Sequence, residues 1–467
     1  MREIETDYLV VGAGAAGMAF ADTLLAHTDA DVLVVDRRHR PGGHWLDAYP
    51  FVRLHQPSAY YGVESRRLGN DSIDRWGPNA GFYERATAPE ICDYYSRVLD
   101  DHLLPTGRLR FAGMSEYRGH VDGGHIVVSQ LDGAETRIVA RRKIVDATYV
   151  ESEIPSRHVP GFAIEPGVTL IPPNDLVDLP ETADRFTVIG AGKTALDTCL
   201  WLLEAGVDPD HIRWIRGRDP WQFDRILTQP LDLVASYMRL QAIWVETAAA
   251  TSGGRDFARR LEDAGAFVRL DPAVEPTAFR GATVSRREID LLRTIEHVVR
   301  ARRVRRIGPR TVTTDTGDIP SGLREVYVDC TAAGVRSTVP RPIYEPGRIT
   351  IQYIAVGLLP WSAATLAFME AAGAPDEKKN RLCPPLVFSG AADDLPTLAY
   401  AAMRGLVARA RDEEVGPWQA ASRLNPARAA VDHVDDPDVA ASVALVLERT
   451  PAALDNLGRA TVGARSA

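Results

Sequence analysis

The sequence of 467 residues has few cysteines, few lysines and no long uninterrupted apolar segment. Its four cysteines lie far apart and form no Cys-x-x-Cys pair, so a metal site and a dithiol redox centre are both disfavoured. Lys and Arg total 54 against 63 Asp and Glu, which gives a net charge of −9. We expect no nucleic-acid partner, because phosphate backbones are bound by basic faces.

The overall composition is that of an ordinary folded protein. Hydrophobic residues make up 45% and charged residues 25%, which excludes wholesale disorder and a coiled coil. The first residues lack a basic segment and enter an apolar strand at once, unlike a signal peptide. Small residues and Asp22 interrupt the apolar residues 9–26, so no membrane span is expected there. We expect a cytoplasmic protein that acts on a small molecule, and its oligomeric state stays open.

The first dinucleotide signature lies within residues 7–36, where an apolar strand, a glycine turn, a helix and a second apolar strand follow one another. Gly12, Gly14 and Gly17 match the pattern G-x-G-x-x-G. Glycines in this pattern allow a tight turn, close approach of the backbone to a pyrophosphate, and close packing of helix on strand. Asp36 ends the second strand, where a carboxylate can bind ribose hydroxyl groups. The pattern predicts a Rossmann-type dinucleotide site.

A second signature of the same kind lies further along the chain. Gly190, Gly192 and Ala195 match G-x-G-x-x-A between a predicted strand and a predicted helix. The next strand ends at Arg216 and Arg218, with no acidic residue at its tip. A guanidinium can pair with the 2′-phosphate of NADP, which a carboxylate would repel. The second site is therefore predicted to bind NADPH in preference to NADH.

Together the two signatures predict an α/β protein with two Rossmann-like dinucleotide-binding domains. Residues 1–160 and 335–467 are predicted to form the first domain, and the second, residues 161–334, is inserted into it. Within the second domain, residues 221–300 carry mostly helical patterning and exceed the length that a crossover needs. We therefore predict a helical insertion over this range.

The segment Pro41-Gly42-Gly43-His44-Trp45 resembles the second FAD fingerprint of flavin monooxygenases. With FAD at the first signature and NADPH at the second, residues 8–410 resemble the class B flavin-dependent monooxygenase superfamily. The FAD contacts implied by this resemblance are Gly12, Gly14, Ala16, Gly17, Asp36, Arg37, Gly43, His44, Trp45 and Gln56. The NADPH contacts implied in the same way are Gly190, Gly192, Lys193, Thr194, Arg216 and Arg218.

One motif of the superfamily is missing from this sequence, and a second motif resembles that of one branch. The F-x-G-x-x-x-H motif is expected within residues 168–180, which contain neither histidine nor glycine. Gln56 and Ser58 form a Gln-x-Ser that resembles a segment of ornithine- and lysine-type N-hydroxylases. This similarity implies a divergent N-oxygenating branch in which Gln56 and Ser58 are catalytic. A simple turn is the alternative interpretation of this segment.

The resemblance also implies a reaction. NADPH reduces FAD, O2 forms a C4a-hydroperoxyflavin, and the amine nitrogen of a small polar substrate attacks the distal oxygen. If Arg53, Arg287 and Arg293 converge on the flavin, they would pair with a carboxylate. The substrate would then be an acidic amino acid, such as aspartate in natural-product biosynthesis. The alternative is that these arginines are surface charges.

Two other functions stay open at this stage. The protein could be an NADPH-dependent flavoprotein reductase or oxidase that passes electrons to an external acceptor. It could also be a dinucleotide-binding regulator without catalysis. The missing Cys-x-x-Cys disfavours a disulfide reductase, whereas Trp45 and Gln56 favour monooxygenation.

Overall fold

The computed structural model describes residues 2–322, 324–335 and 338–465, so residues 1, 336–337 and 466–467 of the predicted first domain and residue 323 of the second lie outside it. The helices are α1 Ala15–His27, α2 Ala88–Val98, α3 Lys193–Glu204, α4 Val234–Ala250, α5 Gly254–Asp263, α6 Arg286–Leu292, α7 Leu359–Ala371, α8 Asp376–Leu382, α9 Leu395–Ala410, α10 Val415–Ala421 and α11 Pro437–Arg465. The strands are β1 Arg2–Val11, β2 Val32–Val35, β3 Leu109–Ala112, β4 Ser115–Val121, β5 Gly124–Ser129, β6 Glu135–Asp146, β7 Ala163–Ile164, β8 Thr169–Ile171, β9 Arg185–Ile189, β10 Ile212–Ile215, β11 Pro220–Asp224, β12 Phe267–Val268, β13 Ala278–Val284, β14 Val298–Val299, β15 Val304–Ile307, β16 Thr311–Thr314, β17 Gly317–Pro320, β18 Glu325–Asp329, β19 Tyr344–Glu345 and β20 Arg348–Thr350.

The first sheet has the strand order β19-β20-β6-β1-β2-β3, and the β4–β5 hairpin joins it beside β6. β1 pairs in parallel with β2 and with β6. The helix α1 connects β1 to β2, and every residue from Ala15 to Leu25 is buried. Because α1 is mostly apolar, it can be covered on one face by this sheet and on the other by α7, and its Asp22 accepts hydrogen bonds from Ser65.

The second sheet has the order β14-β10-β9-β18-β8, and all its described pairings are parallel. Its central strands are short apolar runs, as expected for a parallel sheet whose two faces are both covered. The helix α3 joins β9 to β10, which makes a second βαβ unit. The two Rossmann-like sheets confirm the predicted fold class. The domain limits at residues 160 and 335 stay predictions.

The segment 221–300 is not simply helical, which corrects the sequence prediction. It contains α4, α5 and α6, but β11 pairs with β12 and with β13 in a separate three-stranded sheet. We call residues 220–300 the insertion. Short apolar runs such as these are ambiguous, because periodicity alone cannot distinguish a buried strand from a turn or two of buried helix.

The C-terminal helix α11 packs along α4 of the insertion and along α9. Its residues Ala453 and Leu457 are fully buried in a core that also contains Phe257 of α5 and Phe279 of β13. The chain therefore returns after the second sheet to cover the insertion, and the insertion gains a hydrophobic core of its own.

Candidate functional site

The turn after β1 requires glycine at two positions. Gly12 has a φ of 101°, a left-handed conformation that other residues rarely adopt. A Cβ on Gly17 would lie 1.9 Å from the carbonyl oxygen of Gly12, which is far inside contact distance. Glycine at position 17 therefore lets α1 begin directly against the end of β1, as the motif predicts. Ala16 is buried within α1 and is 4% exposed.

A second pair of glycines packs directly on this turn. A Cβ on Gly43 would lie 2.8 Å from the Cα of Gly14, and the backbone N–H of Gly42 donates to the carbonyl of Ala13 at 3.0 Å. The Gly42–Gly43 bend therefore covers the glycine turn with backbone rather than with a side chain. The two motifs that the sequence separates by some 30 residues form one structure here.

Asp36 lies at this turn, as predicted, and is 6% exposed. Its Oδ2 accepts the N–H of Ala13 at 2.6 Å and its Oδ1 accepts the N–H of Arg38 at 2.8 Å. An ionised carboxylate has about four acceptor positions, so two N–H donors leave capacity for a ribose hydroxyl. Arg37 points elsewhere, because its guanidinium pairs with Glu151 and is largely exposed.

His44 and Trp45 lie in the short 3₁₀ helix that follows the glycine pair. The indole Nε1 of Trp45 donates to the hydroxyl of Tyr61 at 2.8 Å, and the His44 ring lies 5.0 Å from the Trp45 ring. Burial lowers the pKa of His44 to about 4, with Arg38 acting in the same direction. His44 is therefore neutral at neutral pH, and Trp45 is held by packing and by one hydrogen bond.

The turn after β9 is more open than the first. Gly190 has a φ of 137°, and a Cβ there would lie 2.5 Å from the carbonyl oxygen of Cys330. Gly192 faces open space, because a Cβ added there would have no described atom within 4 Å. No described side chain caps the N-terminus of α3, so its first N–H groups are available to an anion. Lys193 at this terminus pairs with Asp197 one turn later, and Thr194 follows Lys193.

The two predicted arginines after β10 have different environments. Arg216 is 5% exposed, lies over the ring of Trp214 and pairs with Asp219 at 3.4 Å. Burial lowers the pKa of Arg216 although Asp219 opposes that shift. Arg218 is exposed and forms no ion pair with the described residues. Of the two, Arg218 is therefore the residue free to meet a ligand phosphate.

The segment that follows the first glycine pair packs on the helix that follows the second glycine turn. The hydroxyl of Tyr49 donates to Asp197 Oδ2 of α3 at 2.8 Å. Phe51 stacks on Trp201 of the same helix, with ring centroids 5.0 Å apart. The segment after the first glycine turn and the helix after the second therefore meet in one region of the molecule.

Buried charges gather in this region, and sequence reasoning missed them. Glu288 of α6 accepts from Arg225 at 2.7 Å and pairs with Arg85 at 3.3 Å. We call Arg85, Arg225 and Glu288 the buried triad. Arg85 and Glu288 are 203 positions apart, so no local pattern joins them. Only the capping box at Ser285 and Glu288, which begins α6, has a signal that is visible in the sequence.

Burial alone would raise the pKa of Glu288, but Arg225, Lys193 and Arg85 together hold it at about 2. The Nε atoms of Arg85 and Arg225 have no hydrogen-bond partner among the described residues. Burial lowers the pKa of the neighbouring His55 to about 3, and Lys193 acts in the same direction. His55 is therefore a neutral imidazole beside a region of net positive charge.

The two predicted catalytic residues differ in what they contact. The hydroxyl of Ser58 is buried and accepts the backbone N–H of Ala86 at 2.8 Å, which is a structural role. Gln56 is half-buried, and its amide forms no hydrogen bond with the described residues. Of the pair, Gln56 is the more accessible, because it is half-buried whereas Ser58 is 1% exposed.

The three predicted substrate arginines each bond to backbone carbonyls. Arg53 donates to Arg85 at 3.3 Å, Arg287 donates to Ala80, and Arg293 donates to Leu270 at 2.8 Å. Arg293 lines a surface cleft of about 520 Å³ that contains no residue of either glycine turn. The structure thus places Arg293 apart from Arg53 and Arg287, whose partners lie in the segment 80–85.

Comparisons with known proteins agree with the first βαβ unit. A profile described as an NAD(P)-binding Rossmann-like domain matches residues 10–59. In the part of the chain that the structure describes, no helix combines the length and the apolar character needed to cross a membrane.

Solved structures with a partly similar fold include flavin monooxygenases and a disulfide reductase. One is a flavin-containing monooxygenase from Stenotrophomonas maltophilia, 14% identical, covering 80% of this chain and 98% of that one at a TM-score of 0.45. Another is cyclohexanone monooxygenase from Rhodococcus sp. Phi1 bound to NADP⁺, which is 17% identical. The match covers 78% of this chain and 85% of that one at a TM-score of 0.46. A bacillithiol disulfide reductase from Staphylococcus aureus is 12% identical. The match covers 80% of this chain and 100% of that one at a TM-score of 0.46. Likenesses this loose assign no activity.

Two mycobacterial proteins are much more similar in sequence. The chain is 43% identical over 425 residues to the uncharacterized protein Rv2000 of Mycobacterium tuberculosis, covering 91% of this chain and 78% of that protein. The values for the uncharacterized protein Mb2023 of Mycobacterium bovis are the same. The chain therefore belongs to the protein family of these two mycobacterial relatives.

Proposed function

We propose that this protein is an oxidoreductase that binds FAD at the first glycine turn and NADPH at the second, and that it acts as a monooxygenase. One observation carries the proposal. Tyr49 and Phe51, which follow the first turn, pack on α3, which follows the second. Because these segments are in contact, dinucleotides bound at the two turns could bring a nicotinamide and a flavin together.

The residues at the first turn fit FAD. The fixed Asp36 carboxylate can accept a ribose hydroxyl, and the uncapped N-terminus of α1 can bind a pyrophosphate. The Gly42–Gly43 bend presents backbone rather than a side chain to a ligand's phosphates. An acid at the tip of β2 would repel a 2′-phosphate, so this turn suits a dinucleotide without one.

The residues at the second turn fit NADPH. Gly192 faces open space, where the backbone can approach a pyrophosphate. The acidic residue nearest the tip of β10, Asp219, is buried and taken up by Arg216 and Arg300. Arg218 is exposed and available to a 2′-phosphate.

Bound FAD would supply the chemistry that the side chains lack, namely acceptance of a hydride from NADPH and transfer of oxygen from O2 to a nucleophilic heteroatom. The chain's own part is to position the ligands and to exclude water. Neutral His55 and the free amide of Gln56 can donate hydrogen bonds without adding charge to the region. The Ser58 hydroxyl accepts the N–H of Ala86 and is buried, so Ser58 is the less accessible of the two predicted catalytic residues.

The cysteines favour a monooxygenase over a thiol-dependent reductase. All four cysteines are free and buried. Burial raises the pKa of the Cys199 thiol, and it does the same for Cys330. Reactive thiols require a lowered pKa and access to solvent. A relay of electrons through a cysteine pair is therefore unsupported, whereas direct transfer to O2 needs none.

For the substrate we propose an amine nitrogen, on the similarity of Gln56-Pro57-Ser58 to the N-hydroxylases. Aspartate stays a prediction of the sequence, since Arg53, Arg287 and Arg293 each bond to backbone carbonyls. Instead of these three arginines, the net positive charge of the buried triad and Lys193 could attract a substrate carboxylate.

The test begins with the visible spectrum and the extracted cofactor of the purified protein. We expect bound FAD that NADPH reduces faster than NADH does. In oxygenated buffer with a panel of amines and amino acids, one substrate should raise NADPH consumption and gain oxygen-18 from ¹⁸O2. Reduction with quantitative H2O2 and no labelled product would favour the reductase or oxidase alternative. A protein that binds no flavin would overturn the proposal.

A further inference from the structure

The last part of the chain, after α9, lies beyond the region of resemblance, and it returns to the first domain through Arg423. This arginine follows α10 and is half-buried. Its guanidinium donates to the carbonyls of Ala59 at 2.6 Å, Tyr61 at 2.9 Å and Val63. Hydrogen bonds from a charged donor are stronger than those between neutral groups. One side chain from the C-terminal part therefore holds three peptide groups that are distant in sequence.

A second set of contacts joins the same two parts of the chain. Glu64 accepts the backbone N–H of Arg423 at 2.8 Å with one oxygen and the hydroxyl of Ser422 at 2.7 Å with the other. Between the bonded carbonyls, Gly62 has a φ of 95°, and a Cβ there would overlap the hydroxyl of Tyr94. The backbone at this position therefore requires glycine, and it is held by α2 on one side and by the C-terminal part on the other.

The segment that Arg423 holds supports the residues around the first glycine turn. The hydroxyl of Tyr61 accepts the indole N–H of Trp45 at 2.8 Å, and the two rings meet edge to face with centroids 6.3 Å apart. Trp45 lies in the 3₁₀ helix of the Gly42–Gly43 bend, which covers the first turn. Gln56, the accessible one of the predicted catalytic residues, lies only three positions before the segment. A displacement of the segment would therefore be passed to Trp45 and Gln56.

We propose that Arg423 is a positioning residue of the flavin site, which acts through the backbone of residues 59–63 and through Tyr61 to fix Trp45. This inference rests on the proposed FAD site and adds to it a residue from outside the region of resemblance. A guanidinium has five N–H donors in a planar fork, so it can hold several carbonyls in one geometry. The ammonium group of lysine keeps the charge but lacks this fork, so lysine is expected to replace Arg423 only in part.

The test compares the unaltered protein with Arg423→Gln, Arg423→Lys and the control Arg428→Gln. Arg428 is an exposed arginine of the same C-terminal part, and its guanidinium pairs with Asp432 at 3.6 Å. FAD affinity is measured by titration, and the visible circular dichroism of the bound flavin is recorded at saturating FAD. This visible signal depends on the groups around the flavin ring, and a loss of fold stability alone leaves it unchanged. Far-ultraviolet circular dichroism and the melting temperature establish that each variant is folded.

Arg423→Gln should weaken FAD binding about tenfold or more and change the visible signal, because the charge-assisted bonds to three carbonyls are lost. Arg423→Lys should give an intermediate result, and Arg428→Gln should match the unaltered protein. An unchanged visible signal in a folded Arg423→Gln would overturn the inference, even if FAD binds more weakly, because Arg423 would then only stabilise the fold. If Arg423→Gln does not fold, the same two measurements on Arg423→Lys decide the matter. An unaltered protein that binds no flavin would refute the proposed function, and the inference with it.

Discussion

The turn after β1 and the turn after β9 share their glycine pattern but differ in what surrounds them. At the first turn, Gly14 contacts the backbone of Gly43, so the chain folds over its own motif. At the second, Gly192 faces open space. The same local pattern thus produces an enclosed turn and an open one. An enclosed turn suits a cofactor that stays bound, and an open turn suits one that exchanges in each cycle.

The charged groups at the two strand tips also differ, since an acid is available at the first and an arginine at the second. Asp36 is fixed at the first turn by two backbone N–H groups. At the second, the acid Asp219 pairs with Arg216 and Arg300, and Arg218 has no ion pair within the part of the chain that the structure describes. The ligand preference of a turn can therefore be inferred from the charges at the strand tip only when the ion-pair partners of those charges are known.

The largest effect is expected from a substitution that adds a side chain inside the first glycine turn. Gly17→Ala places a methyl group 1.9 Å from the Gly12 carbonyl oxygen, so α1 must move off β1. We expect a loss of about 3 kcal/mol or more in unfolding free energy, together with loss of bound flavin. Urea unfolding and the flavin-to-protein ratio measure both effects.

The matched change at the second turn is Ala195→Gly, at the same position of the other motif. It should cost about 1 kcal/mol, as for glycine in a helix, and leave flavin binding intact. Similar losses from the two variants would contradict the difference in packing between the turns.

The next effect concerns the buried triad between the two turns. Glu288→Gln leaves the buried charges of Arg85 and Arg225 without an anion and should cost about 3 kcal/mol or more. Because the folded pKa of Glu288 is about 2, below the usual value, its stabilising contribution is present above pH 4.5 and is lost as the pH falls toward 2. Chemical unfolding between pH 2.5 and pH 7 should therefore show a shallower acid loss in Glu288→Gln. An identical slope in both proteins would contradict this assignment.

A smaller effect should follow from Asp36→Asn. The amide oxygen can still accept one N–H, but the amide nitrogen cannot accept the other, so one backbone bond and the negative charge are lost, at a cost of about 1–2 kcal/mol. We expect weaker FAD retention during dialysis and unchanged NADP⁺ affinity. Asp132→Asn, on an exposed turn, is a suitable control. A larger effect on NADP⁺ than on FAD would reverse the assignment of the two turns.

The smallest effect on stability, and the sharpest on binding, should come from Gly192→Ala. Its φ of −83° suits alanine and no described atom opposes the new methyl group, so stability should change by no more than about 0.5 kcal/mol. The methyl group would occupy the space where a pyrophosphate approaches the backbone, so NADP⁺ binding should weaken. Titration calorimetry and thermal melting separate these two results. Unchanged NADP⁺ affinity would place the ligand elsewhere.

Much of the fold can be predicted from the sequence, because each βαβ unit depends on residues that are close together in the chain. The strand β9, its glycine turn and α3 follow one another within 20 residues and were predicted nearly as they occur. The insertion was mispredicted in part, because β11 and β13 pair across more than 50 residues of intervening chain. Pairing over such a distance leaves no periodic signal in either segment.

The amino-acid sequence alone predicts two glycine turns after two buried strands, an acid at the end of one neighbouring strand and arginines at the end of the other. These features depend on backbone conformation and on spacing within one βαβ unit. The availability of these charged groups depends on the tertiary structure, in which Arg216 lies over Trp214 and pairs with Asp219, whereas Arg218 forms no ion pair with the described residues. The physical reason is that the availability of a charge depends on neighbours brought together by strand register and domain packing, which no local pattern specifies.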